Sequence, residues 1–162
     1  MRSFAASSLV LGLALSLPGI AFAKPAVTLK LTGSVVTVAS DGHTQLTPVE
    51  KTEIKPGDRV RWDILARNGG DSAAYRLTTI EKIQPGTTYV AGSAVVPKGH
   101  AEFSLDGGKT WSLAPTVTVK DAQGNPLVKK ADPATYTAIR FVQDGALAAQ
   151  TTSDDIYEVR VK

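Results

Sequence analysis

Four side chains able to do chemistry crowd into one short stretch, SLDGGKTW (104–111): Ser104, Asp106, Thr110 and Trp111, with Gly108 between them. A carboxylate flanked by two hydroxyls can exchange protons or hold a polar ligand, and an indole beside it can stack on a sugar ring. The same spacing also fits a turn that binds nothing but itself. In a tight hairpin the Asp106 carboxylate accepts hydrogen bonds from backbone N–H groups of its own loop. Gly107 and Gly108 supply the positive φ that such a loop requires. Ser104 and Thr110 then tie the two arms together, and Trp111 packs onto the sheet. The expectation is a structural hairpin.

The pattern S-x-D-x-G-x-T-W resembles the Asp-box, a turn motif repeated around the propeller blades of sialidases. One copy in a chain of 162 residues is too few to build a ring of blades. A site of that kind would also gather arginines around a substrate carboxylate. Here Arg59, Arg61, Arg67, Arg76, Arg140 and Arg160 alternate with apolar residues along strand-like runs, as on a solvated face.

Other chemistry finds less support. There is no cysteine, the single methionine is Met1, and the two histidines, His43 and His100, both sit in turn-like settings. A zinc or copper site needs several such ligands together, so no metal is expected. Asp41, Asp106, Asp121, Asp144 and the pair Asp154–Asp155 fall in loop-like stretches, where calcium ligands gather, but their spacing matches no EF-hand. Neither a G-x-S-x-G elbow nor a phosphate-cradling Gly-rich loop is present. The glutamates 50, 53, 81, 102 and 158 carry no context that would mark a hydrolytic pair. We expect no catalytic residue and no cofactor.

The elements that must hold these residues are strands. Runs rich in Val, Thr, Ile and Tyr are punctuated by Gly, Pro, Asn and Asp about every ten residues, and no 3.6-residue period persists. Strands are predicted over 26–39, 59–68, 73–83, 87–96, 101–105, 110–113, 116–120, 135–142 and 155–161, with Gly33 a bulge or bend. In 59–68, Val60, Trp62, Ile64 and Ala66 share one face and are expected in the core. The stretches 41–45 and 121–126 read as turns, and 144–154 as a loop.

The first 23 residues read as a cleaved export signal: Arg2, an apolar run broken by Pro18 and Gly19, and a small-x-small AFA site. Cleavage after Ala23 leaves 139 residues, 24–162, one domain's worth, with 17 basic and 15 acidic side chains. That balance is small and interspersed, which argues against nucleic acid as a partner. No membrane span is expected after cleavage.

The stretches KPGDRVRWDILARNGG (55–70), TTIEKIQPG (78–86) and TTYVAGSA (87–94), with the tail TAIRFVQDGALAAQ and YEVRV, resemble the conserved-repeat domain of bacterial surface proteins, domain of unknown function eleven. The resemblance covers about residues 45 to 162. It implies an immunoglobulin-like antiparallel β-sandwich, here of about eight to ten strands, used as a wall or surface module without established catalytic residues. The combined expectation is a non-enzymatic structural or protein-interaction module of the cell envelope, periplasmic or extracellular. Its partner would be an envelope protein or a second copy of itself, joined by strand addition along 26–39. The alternative is a small carbohydrate-binding module that takes polysaccharide on Trp111.

Overall fold

The structure, a computed structural model, describes residues 23–162. The predicted leader, 1–23, lies outside the described residues except for Ala23.

Twelve strands follow in order: β1 (Val27–Val38), β2 (Thr44–Pro48), β3 (Arg59–Asn68), β4 (Ala74–Tyr75), β5 (Thr78–Lys82), β6 (Thr87–Tyr89), β7 (Gly99–Ser104), β8 (Thr116–Lys120), β9 (Pro126–Lys130), β10 (Ala138–Gln143), β11 (Ala146–Leu147) and β12 (Thr152–Val161). The only helical elements among the described residues are two single 3-10 turns, Val49–Lys51 and Pro133–Thr135. A five-stranded sheet, β2-β1-β3-β12-β6, lies against a three-stranded sheet, β5-β10-β7, and every pairing is antiparallel. The chain is an all-β sandwich. Two further pairs, β4–β11 and the hairpin β8–β9, stand outside both sheets.

Period-two alternation explains the core. Val35, Val60, Ile64, Tyr89, Tyr157 and Val159 of the larger sheet meet Ile139 and Phe141 of the smaller one. Phe141 and Tyr157 pack across the gap with ring centroids 5.9 Å apart, as do Tyr89 and Phe103 at 5.0 Å. Such tilted aromatic pairs add about 0.5–1.5 kcal/mol beyond the burial itself.

The three-stranded sheet is narrower than the five-stranded sheet it covers, and the structure departs from expectation at several points. Val60, Ile64 and Ala66 are buried, but Trp62, expected in the core, is only half-buried. Its ring lies across Gly33 of β1, where a Cβ would come within 2.8 Å of the indole. The β1–β3 register runs through Gly33↔Trp62 without interruption, so Gly33 makes room for a ring and is not a bulge. The predicted strand 73–83 is split into β4 and β5 at Arg76, whose φ is +56°. The stretch 110–113 contributes only a bridge, Phe103↔Ser112, and β2 and β9 form beside stretches whose composition suggests turns.

Asn68 closes one end of the sandwich. Fully buried, it donates from Nδ2 to the carbonyls of Ser72 (2.8 Å) and Leu147 (3.0 Å), and its Oδ1 accepts from Ala26 N and Gly70 N, both at 3.1 Å. Beside it, a Cβ on Gly70 would lie 2.2 Å from the Lys24 carbonyl, so this position admits only glycine. The Asn-Gly-Gly run thus holds the start of β1 and the 144–151 loop in place.

Candidate functional site

The structure brings Ser104, Asp106, Gly108, Thr110 and Trp111 together in one turn that follows β7. Ser104 Oγ donates to Asp106 Oδ1 at 2.7 Å and accepts from Gly108 N at 2.8 Å. Asp106 Oδ1 also accepts from the backbone N–H of Thr110 (2.9 Å) and Lys109 (3.0 Å), while Oδ2 accepts from the Thr110 hydroxyl at 2.7 Å. These bonds, led by the Thr110 N–H and then the Ser104 hydroxyl, hold the Asp106 carboxyl well below the ordinary carboxylate range. A group kept ionised this firmly neither gives nor takes a proton near neutrality. Gly107 and Gly108 have φ of +74° and +95°. This is a self-satisfied turn.

Trp111 is half-buried, with its ring against Gly108 and the Arg140 guanidinium 4.9 Å from the ring centroid. Arg140 is itself paired to Glu102 across the β7–β10 ladder. A sugar stacks on a free aromatic face, and a cation already occupies one face here. Arg140 and Glu102 join the turn only through strand register, which no local signal in the sequence reveals.

The other candidates are dispersed. His43 lies in the β1–β2 turn, whereas His100 is on β7, its Nδ1 3.7 Å from Asp144 Oδ1. Asp41 and Asp121 each accept backbone N–H bonds of their own turns. Asp154 and Asp155 belong to β12 and not to a loop, and as strand neighbours they project to opposite faces. Asp155 is 1% exposed within the sandwich, where it accepts from Gln143 Nε2 at 2.8 and 3.0 Å, and burial pushes its carboxyl up to about 6. Asp154 lines a cleft of about 370 Å³ with Lys98, Gln143, Asp144, Leu147 and Ser153, and burial raises its carboxyl as well. Among the described residues no three His, Cys, Asp or Glu side chains gather as a metal would need. Most arginines of the strands are engaged singly, Arg59 with Glu158, Arg61 with Asp63, and Arg160 with the Gly57 carbonyl, whereas Arg67 of β3 takes part in no ion pair among the described residues.

What the molecule does expose is backbone. β1 is twelve residues long, but β2 covers only Ser34–Val38 of it. The chain leaves β2 at Pro48 and turns into the 3-10 turn Val49–Lys51. Residues 27–33 therefore pair with β3 alone among the described residues. The bond from Gly69 N to Ala26 O (2.9 Å) at the end of the β1–β3 ladder sets its phase: even-numbered residues of β1 bond to β3. The N–H and C=O groups of Val27, Leu29 and Leu31 thus point outward along an open edge. The two leucine side chains lie on the face shared with the core, beyond the reach of the smaller sheet, at 56% and 46% exposed.

No family model matches the chain, and no curated protein or solved structure matches it. Among the described residues no helix is long and apolar enough to cross a membrane.

Proposed function

We propose that this protein is an exported, non-enzymatic structural or interaction module of the bacterial cell envelope, of the kind represented by the conserved-repeat surface domain. It works by accepting a partner's strand along the open edge of β1. The carrying observation is that edge: unpaired backbone groups at Val27, Leu29 and Leu31 beside two exposed leucines. Long, unprotected edges invite another chain, and main-chain hydrogen bonds provide the affinity when one docks. The Asp106 turn serves this reading as a rigid hairpin, and no side chain beside the edge needs to perform a reaction.

The predicted binding segment, 26–39, divides into two parts. Its second half is already held by β2 and contributes Val35 to the core, so deleting the segment would unfold the domain. Leu29→Pro is a cleaner probe, because the N–H it removes is not used by β3 and an edge strand tolerates proline there. The experiment is cross-linking and affinity recovery from the cell envelope with the wild-type protein and this variant. The expected result is a protein partner recovered by the wild type and lost from a Leu29→Pro protein that melts normally. A partner retained by the variant overturns the reading. Recovery of polysaccharide alone, abolished by Trp111→Ala, replaces it with the carbohydrate-binding alternative.

A further inference from the structure

The open edge has chemistry of its own, beyond its bare backbone. Side chains of β1 alternate, so Leu29 and Leu31 occupy the core-side face while Thr28, Lys30 and Thr32 occupy the outer face. Lys30 sits midway along the edge, exposed, opposite Leu65 of β3. Its nearest charged neighbours on that face are Arg67, opposite Thr28, and Asp63, opposite Thr32. Arg67 is exposed and, like Lys30, takes part in no ion pair among the described residues. Asp63 is held by Arg61, whose Nε lies 2.9 and 3.1 Å from its two carboxylate oxygens. The other carboxylate of this face, Asp154, is one strand further on, opposite Leu65 on β12, and feels Asp63 and Arg61. The outer face bordering the edge is therefore polar, with two positive charges, Lys30 and Arg67, that no ion pair among the described residues answers, while the core-side face of the edge is apolar through Leu29 and Leu31.

From this we infer that the edge is built for an extended segment of a different, acidic protein: a strand with apolar residues on one face and carboxylates on the other. This rests on the strand-addition reading and specifies the partner. The apolar face would cover Leu29 and Leu31, while a carboxylate opposite Lys30 and within reach of Arg67 would answer both cations. A second copy of this chain is a poor occupant. Any two-fold antiparallel register that brings the leucines of two edges together sets Lys30 opposite or diagonal to its own image, and like charges at those positions repel. Lysine on an edge strand is a recognised guard against self-pairing.

The test uses two synthetic peptides as probes, Ser-Val-Glu-Val-Glu-Val-Ser and its counterpart with lysine in place of glutamate. Binding is read from the backbone amide signals of Val27, Leu29 and Leu31 by nuclear magnetic resonance. The glutamate peptide should shift these amides and bind roughly tenfold more tightly than the lysine peptide, a preference that shrinks with added salt. Lys30→Glu, an exposed change that leaves the fold intact, should reverse the order. Equal binding of both peptides at these amides overturns the acidic-partner inference while leaving strand addition standing. Binding of neither overturns the inference, and the Leu29→Pro recovery experiment then decides separately whether the edge is used at all. Concentration-dependent dimerisation that shifts the same amides assigns the edge to a second copy and also overturns it.

Discussion

Asp106 and Asp155 show how the same side chain acquires opposite character from its surroundings. Asp106 lies in solvent but collects backbone and hydroxyl donors, so its charge is stabilised and its acidity increased. Asp155 is enclosed between the sheets with one amide donor, Gln143, and burial raises it to about 6 from an ordinary value of 3.8. A carboxyl raised in the folded state binds its proton more tightly there than in the unfolded chain. Its stabilising effect is therefore complete below about pH 4 and is lost as pH rises through about 6. A rise of that size corresponds to roughly 3 kcal/mol. Burial also raises Asp154, adding a slope of the same sign. Urea unfolding of the wild type from pH 4 to pH 8 should accordingly show a decline in stability from this pair. Asp155→Asn, in which Gln143 can turn its amide to pair with the new one, should remove most of that decline and be more stable than the wild type at pH 8. A variant with an unchanged pH slope would mean that Asp155 stays ionised in the folded protein.

Strands show where local pattern ends and register begins. Gly33 and Trp62 face each other across β1 and β3, with the indole lying over the position a Cβ would take. Gly33→Ala should push the ring aside, costing about 1–3 kcal/mol and shifting the tryptophan emission, and Trp62→Phe in the same chain should recover part of the loss. Additive effects of the two changes would show that they are not coupled through this contact. Glycine in the middle of a strand looks like a bend until its cross-strand neighbour is known, and that neighbour lies 29 positions away in the chain. The same limit applies throughout. Alternation in 59–68 is enough to place Val60, Ile64 and Ala66 in the core, because every second residue must face it. It cannot show that the Trp62 ring lies across Gly33 at the core's margin and stays partly exposed. Residues 73–83 read as one strand because nothing in Tyr75-Arg76-Leu77 announces a residue at φ +56°. Pro126 reads as the last residue of the turn 121–126, yet it starts β9 next to the hairpin's tip, where its missing N–H is harmless. The turn residues were legible, since Ser104, Asp106 and Thr110 act on atoms within four positions of themselves. The open edge was legible only as the segment 26–39. Which part of that segment stays free depends on where β2 ends, and the step from Pro48 into Val49–Lys51 was the single local sign of it.

At the scale of the molecule, burial separates a sandwich from an appendage. The two sheets bury Phe141, Ile139, Ile64 and Tyr157 to 2% exposure or less. In the β8–β9 hairpin no strand residue is buried, and Val117, Leu127 and Val128 are 38%, 47% and 65% exposed. Isolated two-stranded hairpins are marginal in water, so this one depends on its root. The root is well made: Ala131 N donates to Pro115 O at 2.8 Å, and both residues are buried. At the tip, Asp121 accepts from Gln123 N and Asn125 N in the same self-capping manner as Asp106. Because its contacts are internal and its base is closed, the arm should be removable. Replacing 116–130 with a Gly-Gly link between Pro115 and Ala131 takes away surface that the core does not use. The loss should stay below about 1 kcal/mol, which for a domain of this size moves the midpoint of thermal unfolding by about 2–4 °C. The amide signals of Val27, Leu29 and Leu31 should also keep their positions, since the arm pairs with neither sheet. A fall of more than about 10 °C would show that the arm is part of what holds the sheets together. A small fall with the β1 edge intact would leave a sandwich whose stability resides in its two facing sheets and whose contact surface resides at one strand of the larger.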